Sequence, residues 1–174
     1  MKFRILIAAL LLAACGQTNA EAPKLAEAPA PPPPVSLIAA GEYEAISTTA
    51  AGITGNATVS DTALDFARDL HYQTEILRTV SAADEYAAGA GAWSDLLNAP
   101  SGTQIELRRV TNTSAGAGAE AAGLCGADPV TYLALTSDED GALKVAGFKG
   151  GEPGASANAA DLCGTFLYAS GSLE

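Results

Sequence analysis

The chain has 174 residues and a formal net charge of −11, with nine basic against twenty acidic side chains. That balance excludes attachment by phosphate neutralisation, so nucleic acid is not an expected partner, and it excludes polybasic docking on anionic lipid. Apolar residues make up 48%, but aromatics only 6%, and there are 18 glycines, so large core side chains are few and must gather in one place.

Met1-Lys2-Phe3-Arg4 is a basic head, and Ile5 to Leu12 is an apolar run of Ile, Leu and Ala only. The run is far shorter than the ~20 apolar residues a spanning helix needs, so it reads as a secretory signal. It closes on Leu12-Ala13-Ala14-Cys15: a branched aliphatic, two small residues and a Cys. This ending resembles the lipobox of bacterial lipoproteins. The resemblance implies that residues 1–14 are a signal peptide cut before Cys15. It also implies that the Cys15 thiol carries a diacylglyceryl group and that the new amino group is acylated. Two or more acyl chains anchor stably, at about 0.8 kcal/mol per buried methylene. The alternative is an ordinary secretory signal in which Cys15 is incidental.

The expected address is therefore the bacterial cell envelope, with attachment to a membrane through the N-terminal lipid. Gly16 follows the Cys, not the Asp that marks inner-membrane retention in enterobacterial members of this class. That favours the outer membrane, facing the periplasm. Loss of Lys2 and Arg4 with the signal lowers nine bases to seven against twenty acids, a net charge of −13. Such a surface keeps a secreted protein soluble and admits a cationic partner.

Residues 15–36 read as the lipidated Cys followed by a tether. Pro23, Pro29 and Pro31 to Pro34 fall here among Ala and Glu, a composition that stays extended and solvated. At roughly 3.1 Å per residue, twenty residues reach about 60 Å from a bilayer. Residues 37–174 have room for one globular domain.

That domain opens near Ala40 and reads mainly as strands. Ile53, Gly55, Ala57 and Val59 alternate with Thr54, Asn56, Thr58 and Ser60, and 41–48 pairs with them as a hairpin turning at 50–52. Leu64 to Ala67 and Tyr72 to Val80 are expected strands, with Tyr72, Thr74, Ile76, Arg78 and Val80 on one face. Between 81 and 100 the chain is rich in Ala and Gly, and one short helix is expected near Trp93, ended by Pro100. Thr103 to Thr111 returns to strand, with Ile105 and Leu107 facing in and Glu106 and Arg108 facing out. A loop over 112–123 follows, then strands at Val130 to Leu135, Leu143 to Phe148 and Gly164 to Tyr168. The fold class is all-β: a small antiparallel barrel or sandwich of about eight strands. An α+β arrangement is the alternative, if 61–90 is helical.

With Cys15 assigned to lipid, Cys125 and Cys163 are the two cysteines left in a compartment that permits disulfides, so they are expected to pair. Each sits in a Leu-Cys-Gly tripeptide ahead of a strand, which suggests that the two approaches lie side by side. His71 is the single histidine and has no Gly-x-Ser-x-Gly elbow to serve, so a surface position is expected. One His and a bridged cysteine pair suit zinc poorly. Asp138, Asp140 and Gly141 echo the front of a calcium loop but lack its spacing and distal Glu, which leaves a solvated hairpin turn. Arg108 and Arg109 are consecutive on a strand and point to opposite faces. One is expected to pair with Glu106 or an acid across the sheet. The other is expected against the interior, where an ion pair is commoner than an anion site. Asn56-Ala57-Thr58 and Asn112-Thr113-Ser114 match the glycosylation sequon by chance composition.

No catalytic residue, metal or cofactor is assigned. The expected function is that of a lipid-anchored envelope lipoprotein with a non-catalytic structural or interaction role. One alternative is a binder or inhibitor of a basic periplasmic protein, similar in anchor, size, acidity and β content to the lipoprotein inhibitors of lysozyme. The other is a small-molecule carrier or an enzyme.

Overall fold

A computed structural model describes residues 34–116 and 123–171. The signal 1–14, Cys15 and the tether up to residue 33 lie outside the described residues. Ten strands run in chain order: β1 (Gly41–Ala45), β2 (Ala57–Val59), β3 (Ala63–Phe66), β4 (Leu70–Ser81), β5 (Glu85–Ala87), β6 (Gly91–Ala92), β7 (Gln104–Ala115), β8 (Tyr132–Ser137), β9 (Leu143–Phe148) and β10 (Leu162–Ser170). Helix α1 (Thr48–Ile53) falls between β1 and β2, and α2 (Trp93–Leu97) follows β6.

Eight of these strands close an antiparallel barrel in the order β1, β2, β3, β4, β7, β8, β9, β10, and β10 returns to β1. Each barrel strand pairs with the next one in the chain, which is up-and-down topology and leaves no open edge. The all-β expectation holds, and barrel is the correct choice over sandwich. β5 and β6 form a separate two-stranded ribbon.

An eight-stranded barrel is narrow enough for side chains to fill it. Here Tyr43, Val59, Leu64, Phe66, Tyr72, Leu133, Leu135, Leu143, Val145, Phe166 and Tyr168 do so in one contiguous cluster. Phe66 anchors the aromatic part, edge-on to Tyr72 at 6.0 Å and stacked with Tyr168 at 6.2 Å. Many of the scarce large residues are thus inside the barrel, but they do not all gather in one place as expected.

A second cluster lies on the outside. The excursion between β4 and β7, carrying α2 and the ribbon, folds over the outer face of β7, β8 and β9. Trp93 and Leu97 meet Ile105, Leu107, Ala134, Ala146 and Phe148 there, with the Trp93 and Phe148 rings 5.6 Å apart. This covering overturns the orientation expected for β7. Ile105 and Leu107 point outwards under α2, while Glu106 and Arg108 point into the barrel, and all four are fully buried. Hydrophobicity alone places the two apolar residues inside, but alternation permits either choice once both faces are covered.

Two further differences concern β1 and β4. β1 and β2 pair as a hairpin, but both are shorter than expected: Ile53 belongs to α1 and 54–56 are not strand, and the connection is made through α1, capped by Ser47, whose Oγ accepts the Ala50 N–H at 3.1 Å. The β4–β7 ladder shifts register between Ile76 and Arg78, so Leu77 is an extra residue. The shift splits the face expected for β4: Tyr72 and Thr74 look inwards, while Arg78 and Val80 look out.

The meander gives the barrel two unlike ends. One end holds the start of β1, the end of β4 and the start of β7, and there Ser36 and Leu37 reach Arg108 and Glu106. At the other, α1 and the chain preceding β8 lie over the start of β10. There Thr54 Oγ1 and the Tyr168 hydroxyl share a buried hydrogen bond of 2.8 Å.

Candidate functional site

Charge inside a barrel is the feature least explained by packing, and it sits where residues 36–38 enter the fold. Glu106 and Arg108 project from the same face of β7 two residues apart, and solvent reaches neither side chain. Arg108 Nε donates to Glu106 Oε1 at 2.6 Å. Its Nη1 donates to the Ser60 carbonyl at 2.7 Å and to Thr74 Oγ1 at 3.4 Å, and its Nη2 donates to Ser36 Oγ at 3.0 Å. The remaining carboxylate oxygen, Glu106 Oε2, accepts the Leu37 backbone N–H at 2.6 Å. Ile38 then inserts into the apolar interior, and the Tyr43 hydroxyl holds the Ala39 carbonyl at 2.7 Å.

Both charges are therefore compensated, by each other, by Ser60 just after β2, by Thr74 of β4 and by the entering chain. This arrangement is what a buried pair requires, because an isolated charge there costs several kcal/mol. Each nitrogen of the Arg108 guanidinium thus has a partner within the protein. Ser36 falls inside the expected tether, yet its hydroxyl belongs to this network.

The opposite end carries the cysteines. Cys125 and Cys163 are bridged, with Cα atoms 4.8 Å apart. The bridge ties the chain before β8 to the start of β10, so the two Leu-Cys-Gly tripeptides do lie side by side. It also seats Leu124, buried at the barrel mouth, where a Cβ on Gly147 would approach the Leu124 Cβ to 3.2 Å. The Leu124 N–H points to the Tyr72 hydroxyl at 3.4 Å. Burial raises the Tyr72 phenol above its ordinary value, and it raises that of Tyr168 further.

The outer face of β1, β2 and β3 is acidic. Glu42, Glu44 and Asp65 line a depression of about 350 Å³ together with Asn56 and Thr58. On β4 beside it, His71 is 47% exposed and its Nδ1 lies 2.9 Å from Asp65 Oδ1. His71 is thus a surface residue, apart from the other polar networks. Arg109 leaves β7 on the outer face and pairs with Glu75 at 2.9 Å. Asp138 closes the β8–β9 turn by accepting the Ala142 N–H at 2.8 Å. Among the described residues, no three His, Cys, Asp or Glu side chains converge as a metal site would need.

The structure thus joins Cys125 to Cys163, and joins Arg108 to Glu106, but it does not bring His71 to either. Ser36 and Leu37 were missed as site residues. The available signal was Glu106-x-Arg108, opposite charges at strand spacing within an otherwise apolar element. Comparison with protein-family models, with curated proteins and with solved structures gives no match for this chain.

Proposed function

We propose that the chain is a lipid-anchored lipoprotein of the bacterial envelope whose barrel works by binding and not by catalysis. The observation that carries this reading is the filled interior: aromatic and aliphatic side chains occupy the barrel, and the one charge pair buried among the described residues is satisfied internally. A barrel packed in this way offers its outer surface to partners. The anchor part rests on the basic head, the short apolar run and Leu12-Ala13-Ala14-Cys15 acting together. Replacing Cys15 with Ser is expected to leave a precursor of higher mass that lacks the diacylglyceryl group. A Cys15→Ser chain processed and membrane-bound like the wild type contradicts the anchor. Turnover of any substrate lost in His71→Ala with the fold intact contradicts the non-catalytic role.

The depression lined by Glu42, Glu44 and Asp65 supports a second reading, capture of a cationic envelope protein. Exposed charges of one sign speed the association of an opposite partner in a salt-dependent way. Binding of a basic protein such as lysozyme should weaken as salt rises, and further in Glu42→Gln/Glu44→Gln/Asp65→Asn. Affinity indifferent to both contradicts it.

A further inference from the structure

We propose that Ser36-Leu37-Ile38 is a detachable strap closing one end of the barrel, and that the Glu106–Arg108 pair is its latch. The strap is not a barrel strand. It is held by three polar contacts to the pair, Leu37 N–H to Glu106 Oε2, the Ser36 hydroxyl to Glu106 Oε1 at 3.4 Å and Arg108 Nη2 to Ser36 Oγ, and by one inserted side chain, Ile38. Its flanks are exposed, Val35 at 84% before it and Ala39 and Ala40 after it, and within it Leu37 is 48% exposed.

The barrel end is built to survive the departure of the strap. When it lifts, Arg108 keeps its bonds to Glu106, the Ser60 carbonyl and Thr74, so the two charges stay paired. The groups released, Glu106 Oε2 and Arg108 Nη2, lie at the opened mouth, where water replaces the strap. Ser36 carries the internal order of the strap as well, since its Oγ accepts the Ile38 N–H at 3.1 Å. The Tyr43–Ala39 bond lies beyond these contacts and leaves the strap a natural pivot. The chain preceding Pro34 continues directly into the strap, so whatever draws on that chain draws first on this latch.

Native-state amide exchange on the full chain tests the device. The Leu37 amide should be protected, yet exchange at least about tenfold faster than those of Leu107 and Leu133, with a rate flat in low denaturant, as local opening requires. Ser36→Ala, which leaves Leu37 its own acceptor, should speed Leu37 exchange several-fold without changing Leu107 or Leu133, and Ser36→Thr should restore it. Leu37 exchanging in step with Leu107 and Leu133, with the same denaturant slope, would show that the strap is an inseparable part of the barrel and overturn the proposal. A Leu37 amide with no protection at all would show that no closed strap exists, and would overturn it equally.

Discussion

Glu106 and Arg108 share one face of β7 and meet at 2.6 Å inside a barrel filled mostly by apolar side chains. Their mutual compensation makes the pair far more costly to break than to replace. Glu106→Leu or Arg108→Met alone should lower unfolding free energy by about 3–5 kcal/mol. The double change Glu106→Leu/Arg108→Met should recover most of that loss. Equilibrium denaturation of the three variants checks this, and losses that simply add would contradict it.

The Cys125–Cys163 bridge closes a loop of 38 residues. On the chain-entropy model it confines the unfolded chain by about 4 kcal/mol. Cys125→Ala/Cys163→Ala should lose stability of that order, and Leu124 should lose its seat against Gly147. Non-reduced protein should take up no alkylating reagent at either position; two reactive thiols would contradict the bridge.

The outer cluster turns on Trp93, which is buried against Phe148 and Tyr86. Trp93→Ala should cost about 3–5 kcal/mol, the cost of emptying a large buried site. Because α2 has five residues and no side-chain cap at Ala92, loss of Trp93 should also release the helix from the barrel wall. A near-neutral change measured by denaturation would show that the excursion contributes little.

Alkaline stability follows from the buried phenols. Burial raises Tyr168 most, and raises Tyr72 and Tyr43 as well. A folded-state value above the unfolded one means that the associated stability is fully present below the unfolded pKa of about 10 and is lost as pH rises through the folded value. Stability should therefore hold into mild alkali and fall from about pH 10 upwards. Phenolate absorbance from these rings should appear with unfolding and not before. Tyr168→Phe keeps the ring but loses the Thr54 bond, at about 1 kcal/mol. Titration of all five tyrosines at the ordinary value in a folded protein would contradict the burial.

Much of the barrel was legible because its strands alternate. The bounds expected for β9 hold to the residue, the β3 and β4 spans hold closely, and the short helix at Trp93 falls where Pro100 and the small residues around it leave room. β7 was legible as a strand but not in its facing, since period two says that Ile105 and Glu106 are opposed without saying which is inside. That choice was made by the Trp93 excursion, a long-range contact with no local signature. The extra residue Leu77 was hidden for the same reason: Ile76, Arg78 and Val80 fit an unbroken alternation. The cysteine pairing could be read by elimination, whereas Ser36 and Leu37 could not, because a Pro-rich neighbourhood gives no sign that two of its last residues latch onto a charge 70 positions away.

The intact mass of the mature chain recovered from its native membrane tests the central claim most directly. The expected result is a chain beginning at Cys15 with a diacylglyceryl group on its thiol and an acylated amino group. A mature chain that begins elsewhere, or that carries Cys15 as a free thiol, would contradict it.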